Sequence, residues 1–208
     1  MEVTYFMIKT IIFDIGNVLA EYNWKAYLDT FPYPAETKKL LADVLFLSPE
    51  WNEFDRGALS HEQLVEMFVQ KAPEYEQELK EVLKDVGGCI HQFPYAISWI
   101  KSLKEAGFHV YVLSNYGEYM YEHTQKELSF LEFTDGGILS YREKLIKPEP
   151  MIYKTLLERY QIHPEEAVFL DDSLPNVEAA KALGIHGIHF TSYEKAVAEL
   201  ETLGVVTG

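Results

Sequence analysis

Short apolar runs alternate with amphipathic segments from Tyr95 to the end of the chain. The runs predict β-strands at residues 109–113, 137–140, 167–170 and 185–190. Between and after them, helical spacing of apolar residues predicts α-helices at residues 118–128, 150–160, 176–183 and 194–203. Strands that alternate with amphipathic helices are typical of a parallel, doubly wound sheet. The pattern therefore predicts an α/β fold built on such a sheet.

The N-terminal part adds one strand and then changes character. Residues 10–13 are apolar on both faces of a strand, which suits a central parallel strand, and the run stops at Asp14. From about residue 21 to residue 93 every periodic segment is helical, and Ser60 and Gln63 have the capping-box spacing that starts a helix. We therefore expect a core domain formed by residues 1–20 and 91–208, with residues 21–90 inserted as a helical cap domain.

Charge and composition exclude several classes of function. The formal net charge of −15 argues against nucleic acids and anionic membrane surfaces as partners. Cys89 is the only cysteine, so the chain can form neither an internal disulfide nor a thiolate metal cluster. No apolar segment is long enough to cross a bilayer, and the first residues lack the pattern of a signal peptide, so we expect a cytoplasmic protein. An anionic ligand would need positive charge supplied locally, by a few side chains or a metal.

Polar residues follow three of the predicted strands. Asp14, the pair Ser114 and Asn115, and the pair Asp171 and Asp172 stand where these strands end. Because ligands bind outside the carboxyl ends of strands in an open α/β sheet, we expect these groups to share one site. Three carboxylates at close range would repel one another unless a cation lies between them. Carboxylate oxygens suit Mg²⁺, which also binds substrate phosphates, so the sequence predicts a magnesium site.

A lysine and two hydrogen-bonding residues complete a set suited to phosphoryl transfer. Lys147 stands in a Lys-Pro-Glu-Pro segment, before a predicted helix, where two prolines stiffen the backbone. It could pair with Asp14 and a phosphate oxygen, while Ser114 and Asn115 donate hydrogen bonds to the other oxygens. Phosphoryl transfer requires little more than a positioned nucleophile and positive charge on the equatorial oxygens. An aspartate nucleophile would form an aspartyl-phosphate that water then cleaves.

Four segments of the chain resemble the ordered motifs of the haloacid dehalogenase (HAD) superfamily. They are Ile-Ile-Phe-Asp14-Ile-Gly-Asn-Val-Leu, Leu-Ser114-Asn, Lys147-Pro-Glu-Pro and Phe-Leu-Asp171-Asp172, and they span nearly the whole chain. The resemblance implies a Rossmann-like core with a helical cap and a phosphatase activity that depends on Mg²⁺. It also implies that Asp14 is the nucleophile, and that Ser114 and Lys147 bind phosphate.

The same resemblance assigns the metal ligands. Asp171 and Asp172 would belong to the metal motif with Asp14, Asp172 being the direct ligand and Asp171 binding directly or through water. The backbone carbonyl of Gly16 would be a further ligand. Asn176, a few residues later, is interpreted as a helix cap rather than as part of the site.

Gly16 also departs from the pattern of most HAD phosphatases. Their second aspartate, a general acid and base, stands two residues after the nucleophile, where this chain has Gly16. The Asp-x-Gly-Asn-Val form resembles a branch of bacterial sugar-phosphate phosphatases similar to α-D-glucose-1-phosphate phosphatase. General acid–base assistance contributes about 10²–10⁴-fold, so we expect a preference for sugar 1-phosphates, which have a better leaving group than alkyl phosphates. Arg56, in a segment that also resembles this branch, would contact the substrate from the cap or form a surface ion pair.

Three other functions stay open at this point. A dehalogenase of the same superfamily would use Asp14 on a carbon–halogen bond without magnesium, although the paired Asp171 and Asp172 disfavour this. A catalytically weak binding or regulatory protein could retain the fold, and Gly16 is the residue that favours this hypothesis. A phosphotransferase acting between sugar hydroxyls would need an activating base that Gly16 does not supply.

Overall fold

The computed structural model describes residues 7–206 and contains two sheets. Within these residues the strands are β1 (Thr10–Phe13), β2 (Ala20–Tyr22), β3 (Ile90–Gln92), β4 (His109–Ser114), β5 (Gly136–Leu139), β6 (Ala167–Asp171) and β7 (His186–His189). The larger sheet has the order β5-β4-β1-β6-β7, and every pairing in it is parallel. The α/β fold with a parallel sheet is therefore confirmed.

The helices of the described chain fall into two groups. Those between β2 and β3 are α1 (Trp24–Asp29), α2 (Ala35–Val44), α3 (Trp51–Arg56), α4 (His61–Lys71) and α5 (Glu76–Lys84). Those after β3 are α6 (Ala96–Glu105), α7 (Glu118–His123), α8 (Ser140–Glu143), α9 (Pro150–Tyr160), α10 (Leu174–Lys181) and α11 (Tyr193–Thr202). Within residues 7–206, no helix combines the length and the apolar character needed to cross a membrane.

Strand β1 is buried on both faces at the centre of the sheet. Thr10 lies opposite His109 of β4 on one side and Ala167 of β6 on the other. Ile11 and Phe13 pack into one hydrophobic cluster, whereas Ile12 packs into a second, and all three side chains are fully buried. The apolar run in the sequence is therefore a central strand, because both of its faces meet hydrophobic neighbours.

Helix α7 is shorter than its periodicity predicts. The sequence pattern extends to Leu128, but the helix ends at His123. The buried Thr124 hydroxyl donates a hydrogen bond to the backbone carbonyl of Met120 and also bonds the Tyr116 hydroxyl at 2.7 Å. A tertiary hydrogen bond thus holds the chain where the amphipathic pattern alone would continue the helix.

The helical insertion, defined as residues 23–89, begins and ends at a two-stranded antiparallel ribbon. In this ribbon Ala20 of β2 lies opposite Gln92 of β3, and Tyr22 lies opposite Ile90. The expected start and end of the cap domain, residues 21 and 90, fall inside the ribbon. The helical character expected for this part of the chain is present, and the capping box at Ser60 and Gln63 forms as expected at the start of α4.

Candidate active site

The sheet brings the predicted strand-end residues to one edge. Asp14 follows β1 directly, Ser114 is the last residue of β4, and Asp171 is the last residue of β6. Because β4 and β6 flank β1 in parallel register, the three residues emerge side by side. All three are buried, Asp171 completely. The structure therefore brings these three residues together at one edge of the sheet.

Lys147 lies between two of these carboxylates. Its side-chain amine is 2.8 Å from Asp14 Oδ1 and 2.6 Å from Asp171 Oδ2, and the residue is 3% exposed. The backbone of Lys147 is held by the side chain of Asn115, whose Oδ1 accepts from the Lys147 N–H at 2.7 Å. The Asn115 Nδ2 in turn donates to the Lys147 carbonyl at 3.0 Å. Asn115 therefore positions the lysine, a role that the sequence did not suggest for it.

Burial and charge act in opposite directions on these groups. Burial raises the pKa of Asp14, the neighbouring Lys147 ammonium lowers it, and the Asp171 carboxylate raises it again. Burial lowers the pKa of Lys147, but the carboxylates of Asp14 and Asp171 more than compensate, so this pKa lies above its usual value. Lys147 is therefore a permanent buried cation.

Asp171 is oriented by several donors besides Lys147. The backbone N–H of Ser173 donates to its Oδ1 at 2.8 Å, and Asn176 Nδ2 lies 3.1 Å from both carboxylate oxygens. The interpretation of Asn176 as a helix cap is wrong, because Ser173 is the N-cap residue of α10 and the Asn176 side chain binds Asp171. A carboxylate with this many partners is held rigidly, and it in turn holds the lysine.

The three aspartates form a cluster that can bind a metal ion. One carboxylate oxygen each from Asp14, Asp171 and Asp172 lies within 4.8 Å of the others. Burial raises the pKa of Asp172, while a 2.8 Å hydrogen bond from Asn17 Nδ2 opposes this. Oxygen donors from carboxylates suit a hard divalent cation, and such a cation would remove the repulsion among them. The donor set therefore fits the metal predicted from the sequence.

A cavity of about 220 Å³ opens directly above these groups. Among the residues predicted for the site, five line it: Asp14, Gly16, Ser114, Asn115 and Asp172. Lys147 and Asp171 lie beneath this lining and are buried. The rest of the lining is largely aromatic and apolar. Tyr22, Phe46, Trp51 and Ile90 come from the insertion and the ribbon at its base, which together form the insertion wall, whereas Tyr116 and Met120 follow β4.

Two further polar residues face this cavity, Asp55 from the helical insertion and Tyr22 from β2 just before it, and no sequence pattern selects them. Asp55 of α3 lines the cavity, and its pKa is raised to about 7 by burial and by the Asp14 carboxylate, with Lys147 opposing. The hydroxyl of Tyr22 is buried and has no hydrogen-bond partner within residues 7–206. Their only sequence signal is a polar residue in a short helix and a tyrosine in a three-residue strand, neither of which marks a site.

The structure does not bring Arg56 to the cavity. Its guanidinium pairs with Glu149 at 2.7 Å and lies 3.4 Å from Glu53. Glu149 belongs to the segment that carries Lys147, so the ion pair joins α3 to that segment. Of the two alternatives considered for Arg56, substrate contact and an ion pair, the geometry shows the ion pair.

Comparisons of the sequence identify relatives with phosphatase names. The chain is 28% identical to the sesquiterpene phosphatase astK of Aspergillus oryzae over 196 residues, which cover 94% of this chain and 96% of that protein. It is 24% identical to the D-ribitol-5-phosphate phosphatase of Bacteroides thetaiotaomicron over 189 residues, covering 86% of this chain and 89% of that one.

Solved structures share the fold. The HAD family enzyme bt-2542 of Bacteroides thetaiotaomicron superposes with a TM-score of 0.73 at 20% identity, covering 93% of this chain and 98% of that one. A mutant of that enzyme in complex with magnesium and inorganic phosphate gives a TM-score of 0.72, at the same identity, over 89% of this chain and 95% of that one. The family model for haloacid dehalogenase-like hydrolases matches residues 8–184. The chain belongs to the haloacid dehalogenase-like hydrolase family.

Proposed function

We propose that this hydrolase is a Mg²⁺-dependent phosphatase that cleaves a small phosphomonoester, a sugar phosphate, through an aspartyl-phosphate at Asp14. The observation that carries the proposal is the placement of Lys147 at 2.8 Å from Asp14, beside the acidic cluster that Asp14 forms with Asp171 and Asp172. A nucleophilic carboxylate, a fixed cation and a metal-binding cluster at one cavity are what phosphoryl transfer needs.

Each residue of the site has a role in this proposal. Asp14, Asp172 and the carbonyl of Gly16 would hold Mg²⁺, with Asp171 binding directly or through water. When bound, the ion would neutralise charge on the phosphate oxygens and offset the repulsion of the carboxylates. Lys147 would bind a phosphate oxygen while remaining paired with Asp14.

The rest of the cavity wall would complete the substrate site. The Ser114 hydroxyl at the end of β4 would donate to a second phosphate oxygen, and Asn115 lines the cavity beside it. Residues 21–90 would act as the cap that covers the substrate and excludes water from the reacting phosphate.

The cavity favours a small, uncharged leaving group that carries hydroxyls. Its volume of about 220 Å³ is below the roughly 300–1,000 Å³ typical for drug-sized ligands. Among the described residues that line the cavity there is no lysine or arginine, and Lys147 beneath them is already shared by two carboxylates, so a second phosphate or a carboxylate on the substrate would lack a partner there. The unpartnered Tyr22 hydroxyl and the Asp55 carboxyl can bond sugar hydroxyls. Aromatic side chains such as Trp51 can pack on a sugar ring.

A panel of phosphate esters tests the substrate class. We expect phosphate release from a sugar 1-phosphate to exceed that from glycerol phosphate by at least about tenfold in kcat/KM, since the anomeric oxygen leaves more easily. Farnesyl phosphate belongs in the panel because one relative is named a sesquiterpene phosphatase. We expect it to be a poor substrate, because its chain is too long for the cavity. Equal turnover of the two polar esters, or a clear preference for the terpenyl ester, would contradict the sugar-phosphate proposal.

Thermal denaturation tests the metal at the same site. At about 100 times its dissociation constant, Mg²⁺ should stabilise the fold by about 2.7 kcal/mol. This corresponds to a rise in Tm of about 5–11 °C for a chain of this size. A chelator should abolish both the rise in Tm and the release of phosphate. Halide release from a 2-haloacid that survives chelation would instead support the dehalogenase alternative, which uses the aspartate without magnesium.

The effect of Mg²⁺ on Tm should depend on pH with a definite sign. Burial raises the pKa of Asp14 and Asp172 in the folded state above the roughly 3.9 of an unfolded aspartate. The folded protein without metal therefore binds more protons, and its stability falls as pH rises from about 4 through these raised values. Mg²⁺ replaces those protons, so we expect a larger rise in Tm at pH 8 than at pH 5.5. The same rise at both pH values would place the ion elsewhere.

A further inference from the structure

The proposed phosphatase reaction lacks an acid beside the nucleophile, because position 16 is a glycine. When the P–O bond breaks, the leaving oxygen of a sugar or an alkyl alcohol is a strong base and needs a proton. Among the described residues, Asp55 on the insertion wall of the cavity has a carboxyl group that could supply this proton. We propose that Asp55 of α3 is the general acid and base of the reaction, an inference that rests on the proposed function.

The placement of Asp55 is the first argument. It lines the same cavity as Asp14 and Asp172 but belongs to the wall formed by the insertion. A substrate whose phosphate lies against Asp14 would direct its leaving group away from the sheet, toward that wall. Burial, the Asp14 carboxylate and the Lys147 ammonium shift the pKa of the Asp55 carboxyl group, and no hydrogen bond from the described residues contributes to that shift. The carboxyl group is therefore available to the leaving oxygen.

The backbone of Asp55 is fixed to the core domain. Its carbonyl accepts a 2.6 Å hydrogen bond from the hydroxyl of Ser140, which is fully buried. The same hydroxyl accepts from the backbone N–H of Tyr116 at 2.8 Å. Tyr116 is two residues beyond Ser114, in the loop that follows this predicted phosphate-binding residue. One serine thus links the position of Asp55 to the phosphate end of the cavity.

Two glycines allow α3 to approach the core this closely. A Cβ atom at Gly117 would lie 2.6 Å from the ring of Phe54, and one at Gly57 would lie 2.8 Å from Tyr141 Cβ. Gly57 also has a φ of +66°, which other residues adopt only with strain. Both glycines adjoin Asp55 in space or in sequence. The helix is therefore seated on the core at the point where its aspartate faces the cavity.

The electrostatic environment supports the assignment. Burial and the Asp14 carboxylate together raise the pKa of Asp55 to about 7, and Lys147 opposes them. A group with such a pKa carries a proton in a large fraction of molecules near neutral pH and can also take one back. By contrast, the ordinary aspartate value of about 3.9 would leave almost no acid form.

The proposed steps conserve atoms and charge. An oxygen of Asp14 attacks phosphorus, the ester P–O bond breaks, and its electron pair stays on the leaving oxygen. The Asp55 carboxyl group gives its proton to that oxygen, so the alcohol departs neutral. Water then attacks the phosphorus of the aspartyl-phosphate and passes a proton to the Asp55 carboxylate. The bond between phosphorus and the Asp14 oxygen breaks, its electron pair returns to Asp14, and inorganic phosphate is released.

The experiment compares Asp55→Asn with the wild type on esters of different leaving-group basicity, at saturating Mg²⁺. On a sugar or alkyl phosphate, which needs a proton, we expect kcat/KM to fall by about 10²–10⁴-fold. On p-nitrophenyl phosphate, whose leaving group is stable as an anion, we expect a fall of less than about tenfold. Asp43→Asn is the matched control, because Asp43 is an exposed aspartate on helix α2 of the same insertion and should leave both rates unchanged.

The possible outcomes distinguish the role of Asp55 from the phosphatase activity on which that role depends. An equal loss on all esters would overturn the role of Asp55 and leave the phosphatase proposal intact. A wild-type protein that cleaves none of the esters would overturn the phosphatase proposal itself, and the role of Asp55 with it. A second measurement needs no variant: wild-type kcat/KM over a series of substituted phenyl phosphates. A shallow dependence on leaving-group pKa supports proton donation, and a steep one overturns it.

Discussion

Asp14→Asn should lower phosphate release by about 10⁴-fold or more, the largest effect expected of any single substitution in this chain. The amide cannot form the acyl-phosphate bond, so the covalent route is lost rather than slowed. It also removes a charged oxygen from the cluster with Asp171 and Asp172, which weakens Mg²⁺ binding. The measurement is phosphate release from the best ester of the panel, in single-turnover and steady-state modes.

Folding of the variant has to be shown separately. Burial raises the pKa of Asp14, so a neutral amide costs less here than at an ordinary aspartate, and Lys147 keeps its 2.6 Å pairing with Asp171. We therefore expect Asp14→Asn to keep its circular dichroism spectrum and its cooperative melting. Asp43→Asn, an exposed change of the same chemistry, is the control. If the folded Asp14→Asn variant released phosphate at more than about a hundredth of the wild-type rate, Asp14 would not be the nucleophile.

Lys147→Met should be the most destabilising substitution at the site. Lys147 pairs with Asp14 and Asp171 at 2.8 and 2.6 Å, and both the lysine and Asp171 are buried. Removing one partner of a buried ion pair leaves an uncompensated charge, which costs about 3–5 kcal/mol. For a chain of this length, that predicts a fall in Tm of about 6–20 °C. Activity should also be lost, because a phosphate oxygen loses its cation.

The matched control for that experiment is Lys154→Met. Lys154 is exposed on helix α9, so the same change in charge and volume should shift Tm by no more than about 2 °C. Mg²⁺ should restore part of the stability of Lys147→Met, since the ion can neutralise Asp14. A variant with wild-type Tm would show that Asp14 and Asp171 do not depend on Lys147 for compensation. Other groups would then have to compensate the buried carboxylates of Asp14 and Asp171.

The edge of the sheet that carries the candidate site could be predicted because it depends on strand order and little else. Once residues 10–13 and 167–170 are recognised as parallel strands, their ends must lie at one edge, whatever the details of packing. Asp14, Ser114 and Asp171 were found in this way, and their burial follows from the central position of β1. Lys147 came from a motif with two prolines, whose stiffness makes the position of one side chain easier to predict.

The insertion wall of the cavity, which includes Asp55 and Tyr22, could not be predicted in the same way. Asp55 stands on a six-residue helix, too short to show a clear periodicity, and its side chain faces the site only because Ser140 and Gly117 seat that helix on the core. Tyr22 belongs to β2, whose partner strand β3 follows the whole insertion in the sequence. Both positions depend on contacts between segments that are distant in sequence, and such contacts produce no local sequence pattern.

Single hydrogen bonds also changed the interpretation of residues that the sequence did select. Asn115 was expected to donate to phosphate, yet its amide holds the backbone of Lys147 at both the N–H and the carbonyl. The sequence predicts a helix cap at Asn176, yet its side-chain amide donates to the carboxylate of Asp171. The Arg56 guanidinium forms an ion pair with Glu149 and does not line the cavity. In each case the residue type fits several partners, and only the folded geometry selects one.

The central position of β1 has a consequence for how this protein is made. Among the described residues it is the first strand of the large sheet, yet it pairs with β4 at His109 and with β6 at Ala167. While a ribosome is still producing the helices of the insertion, this apolar strand has both edges exposed and no partner. Pairings so distant in sequence form slowly, and an open apolar strand is a site for aggregation. Expression at low temperature or with a chaperone should therefore raise the yield of folded protein, because both limit aggregation through β1 before β4 and β6 are made.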